Sequence, residues 1–97
     1  WVCRPVIHGE NLYAAVLQSN DRQWKQSGFI TFLDKSDKVI SNPGGTEPAY
    51  AGGTLQNMGQ SSAIFSYPHD VCVDDDENLY VAQWNSGKVY PYKLSLV

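Results

Sequence analysis

Apolar and polar residues alternate along this chain in short runs, each broken after a few positions by glycine, proline, asparagine or aspartate. That spacing predicts strands joined by tight turns. Trp1 to Ile7 reads as a first strand, although Pro5 cannot donate to a regular central ladder. His8-Gly9-Glu10-Asn11 is a turn, and Leu12 to Leu17 is a strongly apolar second strand. The polar stretch Ser19 to Gln23 and the group Gln26-Ser27-Gly28 are reversal signals. Gly28 to Leu33 is rich in aromatic and β-branched residues and predicts a third strand. Asp34 to Lys38 turns the chain into a short fourth strand at Val39-Ile40.

From Ser41 to Ser62 the pattern changes. Gly44, Gly45, Gly52, Gly53 and Gly59 fall here with Pro43 and Pro48, and little periodicity is left. This predicts a long connecting loop rather than a helix or a linker between domains. Alternation then resumes: Val71-Cys72-Val73 predicts a buried strand and Asp74 to Asn78 a turn. Leu79 to Trp84 predicts a strand, Asn85-Ser86-Gly87 a turn, and Lys88 to Leu94 a last strand. Apolar residues nowhere recur at helical spacing for three turns, so the expectation is an all-β chain of antiparallel strands.

The two halves echo each other. Glu10-Asn11-Leu12-Tyr13-Ala14-Ala15 returns as Glu77-Asn78-Leu79-Tyr80-Val81-Ala82, with Glu10 and Glu77 lying 67 residues apart. A Ser-Gly pair opens the next strand in both: Ser27-Gly28-Phe29-Ile30 and Ser86-Gly87-Lys88-Val89. A repeated sheet unit must stack on neighbours to bury its faces. The offset exceeds the ~40–45 residues of a compact propeller blade, and the Gly/Pro-rich loop accounts for much of the excess. The chain divides accordingly into a first blade-like repeat at 1–40, a connector at 41–64 and a second, incomplete repeat at 65–97.

Composition narrows the function classes. The chain has 97 residues, enough for one modest domain, and 42% of them are hydrophobic. Seven dispersed Lys and Arg and a net charge of -3 give nucleic acid no basic patch to hold. No apolar run is long enough to span a membrane as a helix. Cys3 and Cys72 are too few and too far apart in sequence for a zinc knuckle. Their apolar neighbours favour buried thiols, with a mutual disulfide as the alternative.

The stretch Phe65-x-x-Pro68-His69-Asp70-Val71-x-Val73-Asp74, then Asn78-Leu79-Tyr80-Val81-Ala82, then Asn85-Ser86-Gly87-Lys88-Val89, resembles an NHL repeat. The usual pattern of that family runs F-x-x-P-x-G-[IV]-x-V-D, G-N-[IL]-Y-V-[AV]-[DE], N-x-R-[IV]. The resemblance is good over Phe65 to Leu94 and weak before residue 10. It departs at Asp70, where glycine is usual, at Glu77, which replaces the turn glycine, at Gln83, which replaces an acid, and at Gly87-Lys88. The resemblance implies β-propeller blades, commonly six to a ring, of four antiparallel strands each. The chain would cover about two of them, as a piece of something larger. The remaining blades, in a longer parent or in companion chains, are then its first expected partners. An extracellular or periplasmic setting is slightly favoured on the same ground.

The resemblance also places His69 where such propellers admit ligands, near one mouth of the central channel. Peptidyl-hydroxyglycine amidating lyases are similar propellers that hold zinc on channel histidines, and His69 is the matching candidate here. One histidine is not a metal site, so mouth-lining and metal-binding roles stand side by side. Asp70 is placed either to orient the imidazole or bind a polar ligand, or to accept backbone N–H groups. Trp84, with Tyr50 and Tyr90, offers an aromatic ligand surface or blade packing. Asp74-Asp75-Asp76-Glu77 suggests calcium, but lacks EF-hand spacing and is explained by a solvated hairpin turn. Gly44-Gly45 and Gly52-Gly53 open no phosphate-binding helix. Two functions follow. One is a noncatalytic scaffold, without a cofactor, that recognises a protein, peptide or glycan. The other is a metal-dependent lyase or hydrolase, using zinc or calcium in the channel of the complete ring.

Overall fold

The structure is a computed structural model that describes residues 1–18, 28–62, 64–84 and 92–95. Nine strands are present among these residues, and no helix. In chain order they are β1 (Val2–His8), β2 (Asn11–Val16), β3 (Phe29–Leu33), β4 (Val39–Ser41), β5 (Tyr50–Ala51), β6 (Thr54–Leu55), β7 (Pro68–Val73), β8 (Leu79–Gln83) and β9 (Tyr92–Leu94). Strands β1-β2-β3-β4 form one antiparallel meander and β7-β8-β9 another. The predicted turns at Ser19–Gln23 and Asn85–Gly87, and the early part of the last predicted strand, lie outside the described residues.

Each sheet follows from its sequence pattern. Gly9 sits at φ 62 in the two-residue connection between β1 and β2, as a short hairpin loop with glycine in first place requires. In β2, Leu12 pairs with Leu33 and Val16 with Phe29, so branched and aromatic side chains face one another across β3. The first innermost strand is bulged: Val2 pairs with Val16 but Pro5 with Ala14. Pro5 therefore lies at an irregular, edge position, where its missing N–H costs no ladder bond.

The connector is more structured than its composition predicts. Tyr50 pairs with Leu55 and Ala51 with Thr54, closed by Gly52 at φ 57 and Gly53 at φ 80. Two successive glycines with positive φ make the hairpin turn that this requires. The hydroxyl of Tyr50 donates to the Val39 carbonyl at 3.1 Å and accepts from the Val39 N–H at 2.8 Å, which fastens the hairpin to β4. Tyr50 is thus a strut of the connector rather than part of an aromatic surface with Trp84.

The core lies between the two meanders, where β7 packs on β1 and β2. Ala15 and Ile30 of the first sheet meet Val71, Leu79 and Val81 of the second, with Phe65 wholly buried among them. Gly44 lets Phe65 in: a methyl group there would meet the ring at 2.7 Å. Burying a side chain of this class contributes about 1.5–3 kcal/mol.

The cysteines depart from expectation. Both are free, Cys3 is half-buried and Cys72 is exposed. Register explains it. Val71 and Val73 pair with Val81 and Leu79 on the core face, whereas Cys72 pairs with Tyr80 on the opposite face of the sheet. Apolar sequence neighbours in a strand point the other way and give no cover.

Candidate functional site

The entrance to β7 is built by hydrogen bonds from a neighbouring strand. The Ser66 N–H donates to Gln83 Oε1 at 2.6 Å, and the Trp84 N–H donates to the Tyr67 carbonyl at 2.8 Å. Gln83 stands where the repeat usually has an acid, and its amide oxygen keeps the acceptor that this N–H needs. Pro68 is fully buried against Gly28, where an added methyl would meet Pro68 Cδ at 2.3 Å.

Between these fixed points the backbone is strained. Tyr67 has φ 57, a left-handed conformation that is an outlier for a bulky residue. A residue before proline is moreover biased towards extended backbone. Immediately afterwards the ladder slips: Pro68 pairs with Gln83 but Asp70 with Ala82. His69 is the extra residue of that bulge, and its side chain is exposed. Bulges re-aim side chains in this way, and they are over-represented beside active sites.

Four more side chains stand at or against this end of the sheet, in two pairs, Arg4 with Asp70 and Tyr67 with Trp84. Asp70 accepts the Val71 N–H at 2.8 Å through Oδ1, and its Oδ2 lies 3.8 Å from Arg4 Nη1 on β1. With the Arg4 side chain 76% exposed, that pair is a solvated one and contributes little to stability. Trp84 is 56% exposed and stands edge-on to Tyr67, ring centres 6.0 Å apart at 78°. So the three residues singled out in the sequence, His69, Asp70 and Trp84, all belong to one end of the second sheet. Arg4 and Tyr67 join them and were not foreseen. Arg4 lies where the family resemblance is weak, and the backbone of Tyr67 carries no sequence signal. Tyr90 lies outside the described residues.

A metal finds few donors here. Among the described residues no group of three or more His, Cys, Asp or Glu side chains is placed to hold an ion. His8 closes the far end of β1, paired with Asn11, whereas His69 stands at the start of β7. Asp74 of the acidic run is engaged in its own turn. Asp74 accepts N–H groups from Asn78 at 2.8 Å and Asp76 at 3.0 Å, and its second oxygen accepts from Asn78 Nδ2 and the Tyr80 hydroxyl, both at 3.0 Å. The Asn78 side chain, ahead of its backbone N–H, Tyr80 and Asp76, holds the Asp74 carboxyl below its ordinary value of 3.8, against a smaller opposing effect of desolvation. Its lone pairs organise the turn.

Two antiparallel meanders, of four strands and of three among the described residues, stack face to face, each entered at a bulged strand, and define the class as β-propeller blades. Residues 65–89 match the NHL repeat, and the described residues supply four strands of one blade and three of the next. Neither the curated proteins nor the solved structures yield a match to this chain. Among the described residues no helix is long and apolar enough to cross a membrane.

Proposed function

We propose that this chain is part of a noncatalytic propeller scaffold that docks a protein or peptide partner on the β7 entrance, through Trp84, Tyr67, His69, Asp70 and Arg4. The supporting observation is Tyr67 at φ 57 beside an exposed Trp84. Strain of order 1–3 kcal/mol persists where the surroundings over-determine it, and it collects at ligand clamps. Here it seats an indole, a phenol, an imidazole and an ion pair on a rigid strand end. Exposed Trp, Tyr and Arg are the side chains that most often dominate binding interfaces. The NHL repeat is in keeping with a protein-interaction role.

The outer faces of the two sheets are the places for further blades, in the same parent chain or in companion chains. In the cell, a photo-crosslinking residue in place of His69 should trap a defined partner in the intact protein. Trp84→Ala should abolish that adduct while leaving the circular dichroism spectrum unchanged. Stoichiometric zinc in the intact protein, lost on His69→Ala, would overturn the scaffold reading in favour of a metal-dependent lyase or hydrolase.

A further inference from the structure

The opposite end of the blade interface holds a second, unassigned feature. A cleft of about 200 Å³ opens between the sheets, walled by Tyr13 and Phe32 of the first blade and by Leu79 and Leu94 of the second, with Glu77 at its rim. The aromatic pair is edge-on, centres 4.7 Å apart at 81°. The volume is below the ~300–1,000 Å³ of a small-molecule site and suits a single side chain.

Glu77 is the informative residue. It sits at φ 63, in the place where the repeat pattern has glycine, and a glutamate adopts that conformation only under strain. Its neighbours Asp75 and Asp76 are exposed in the same turn and add negative charge nearby, while Glu77 supplies the one carboxylate of the lining. Among the described residues no cation is paired with it: the ion pair there is Arg4 with Asp70, and Lys93 lies over the Tyr80 ring at 5.7 Å, on the other face of the sheet.

We infer that this cleft receives the side chain of a lysine from a peptide segment of a partner protein. The four-carbon stem fits the apolar walls and the ammonium reaches the Glu77 carboxylate. Arginine fits less well. Its planar guanidinium favours stacking on a ring face or a two-point grip on a carboxylate, and here the two rings stand perpendicular with a single rim carboxylate. The site is separate from the β7 entrance and stands or falls independently of it.

The test uses the intact protein with ¹³C-methyl labels on Leu79 and Leu94, titrated with acetyl-Gly-Lys-Gly-amide and with the same peptide carrying norleucine or arginine. The lysine peptide should shift both methyl resonances, and norleucine or arginine should bind about tenfold more weakly. Glu77→Gln should weaken lysine binding by a similar factor, and Glu77→Lys should abolish it. Trp84→Ala should leave it unchanged. Equal binding of norleucine, or no effect of Glu77→Gln, overturns the proposal. Tighter binding of arginine overturns the choice of lysine, and loss of binding in Trp84→Ala overturns the separation of the two sites.

Discussion

The two blades use the same strand motif from opposite sides. In the first, Tyr13 and Ala15 turn towards the second blade, with Ala15 wholly buried in the core. In the second, the equivalent Tyr80 and Ala82 turn away and line a shallow open depression with Asp70 and Cys72. Leu79 and Val81 do the reverse: they fill the core, whereas the equivalent Leu12 and Ala14 lie on the far face of the first blade, where Leu12 is half-buried opposite Ile7 at 73% exposure and Ala14 is buried at 3%. One sequence pattern therefore carries two apolar faces; the neighbouring blade covers one, and the connector covers part of the other at Phe29. This is what a ring of repeats requires, since every blade must present one face to each neighbour.

The largest effect that separates the two faces should come from Leu79→Ala against Leu12→Ala. Leu79 is 4% exposed, and truncating a buried leucine costs about 2–5 kcal/mol. Leu12 is half-buried, so its truncation should cost less than half as much, read from midpoint shifts in urea unfolding of this chain. Equal costs would mean that the far face of the first blade is covered at Leu12 as it is at Ala14.

A second comparison sets two turns side by side. Asp34 opens the β3–β4 turn and Asp74 the β7–β8 turn, with the same skeleton. The aspartate N–H donates across the turn to the Lys38 carbonyl at 2.9 Å in one and to the Asn78 carbonyl at 3.0 Å in the other. Asp37 has φ 60 and Glu77 φ 63. Both are three-residue loops that end in a left-handed residue. They differ in fastening. Asp34 accepts only from the Ser36 and Lys38 N–H groups, through one oxygen, whereas Asp74 also binds the Asn78 amide and the Tyr80 hydroxyl through its other oxygen. Asp74→Ala should therefore lower Tm more than Asp34→Ala. The folded-state pKa of Asp74 is depressed, so its contribution is fully present above the ordinary carboxylate value and is lost as pH falls through the lower, folded one. In Asp74→Asn the acid limb of the stability profile should flatten. An unaltered limb would mean that the turn holds without the carboxylate charge.

Much of this was legible beforehand, for identifiable reasons. Strands and turns follow from alternation and punctuation, which are local, and the meander from Phe65 onward is carried by a motif. Turn chemistry was half legible. Asp74 to Glu77 reads as a hairpin turn, but the hydrogen bond from Tyr80 depends on a side chain six positions away in the next strand. The Gly52-Gly53 hairpin was within reach, since paired glycines between Tyr50-Ala51 and Thr54-Leu55 are a known signal. What no local pattern contains is which face a neighbouring blade covers. That is why Cys72 reads as a buried thiol and stands exposed instead, why Trp84 reads equally as ligand surface or blade packing, and why the Arg4–Asp70 contact between blades was missed.

The smallest expected effect bears on Glu77 and returns to the twin turns. Both left-handed positions are filled by residues that glycine would replace without strain. Aspartate tolerates this region better than glutamate, because its short side chain bonds locally. Glu77→Gly should accordingly stabilise the chain by about 0.5–1 kcal/mol, after allowance for the extra freedom that glycine gives the unfolded state, and Asp37→Gly by less. The same Glu77→Gly change removes the carboxylate at the cleft rim, so the stabilised variant should lose its preference for the lysine peptide over norleucine. Stability and recognition would then move in opposite directions at one residue, as expected where backbone strain is retained for binding. A Glu77→Gly variant no more stable than the parent would show that the strained turn carries no penalty for glutamate, and the contrast between the two turns would reduce to their fastening alone.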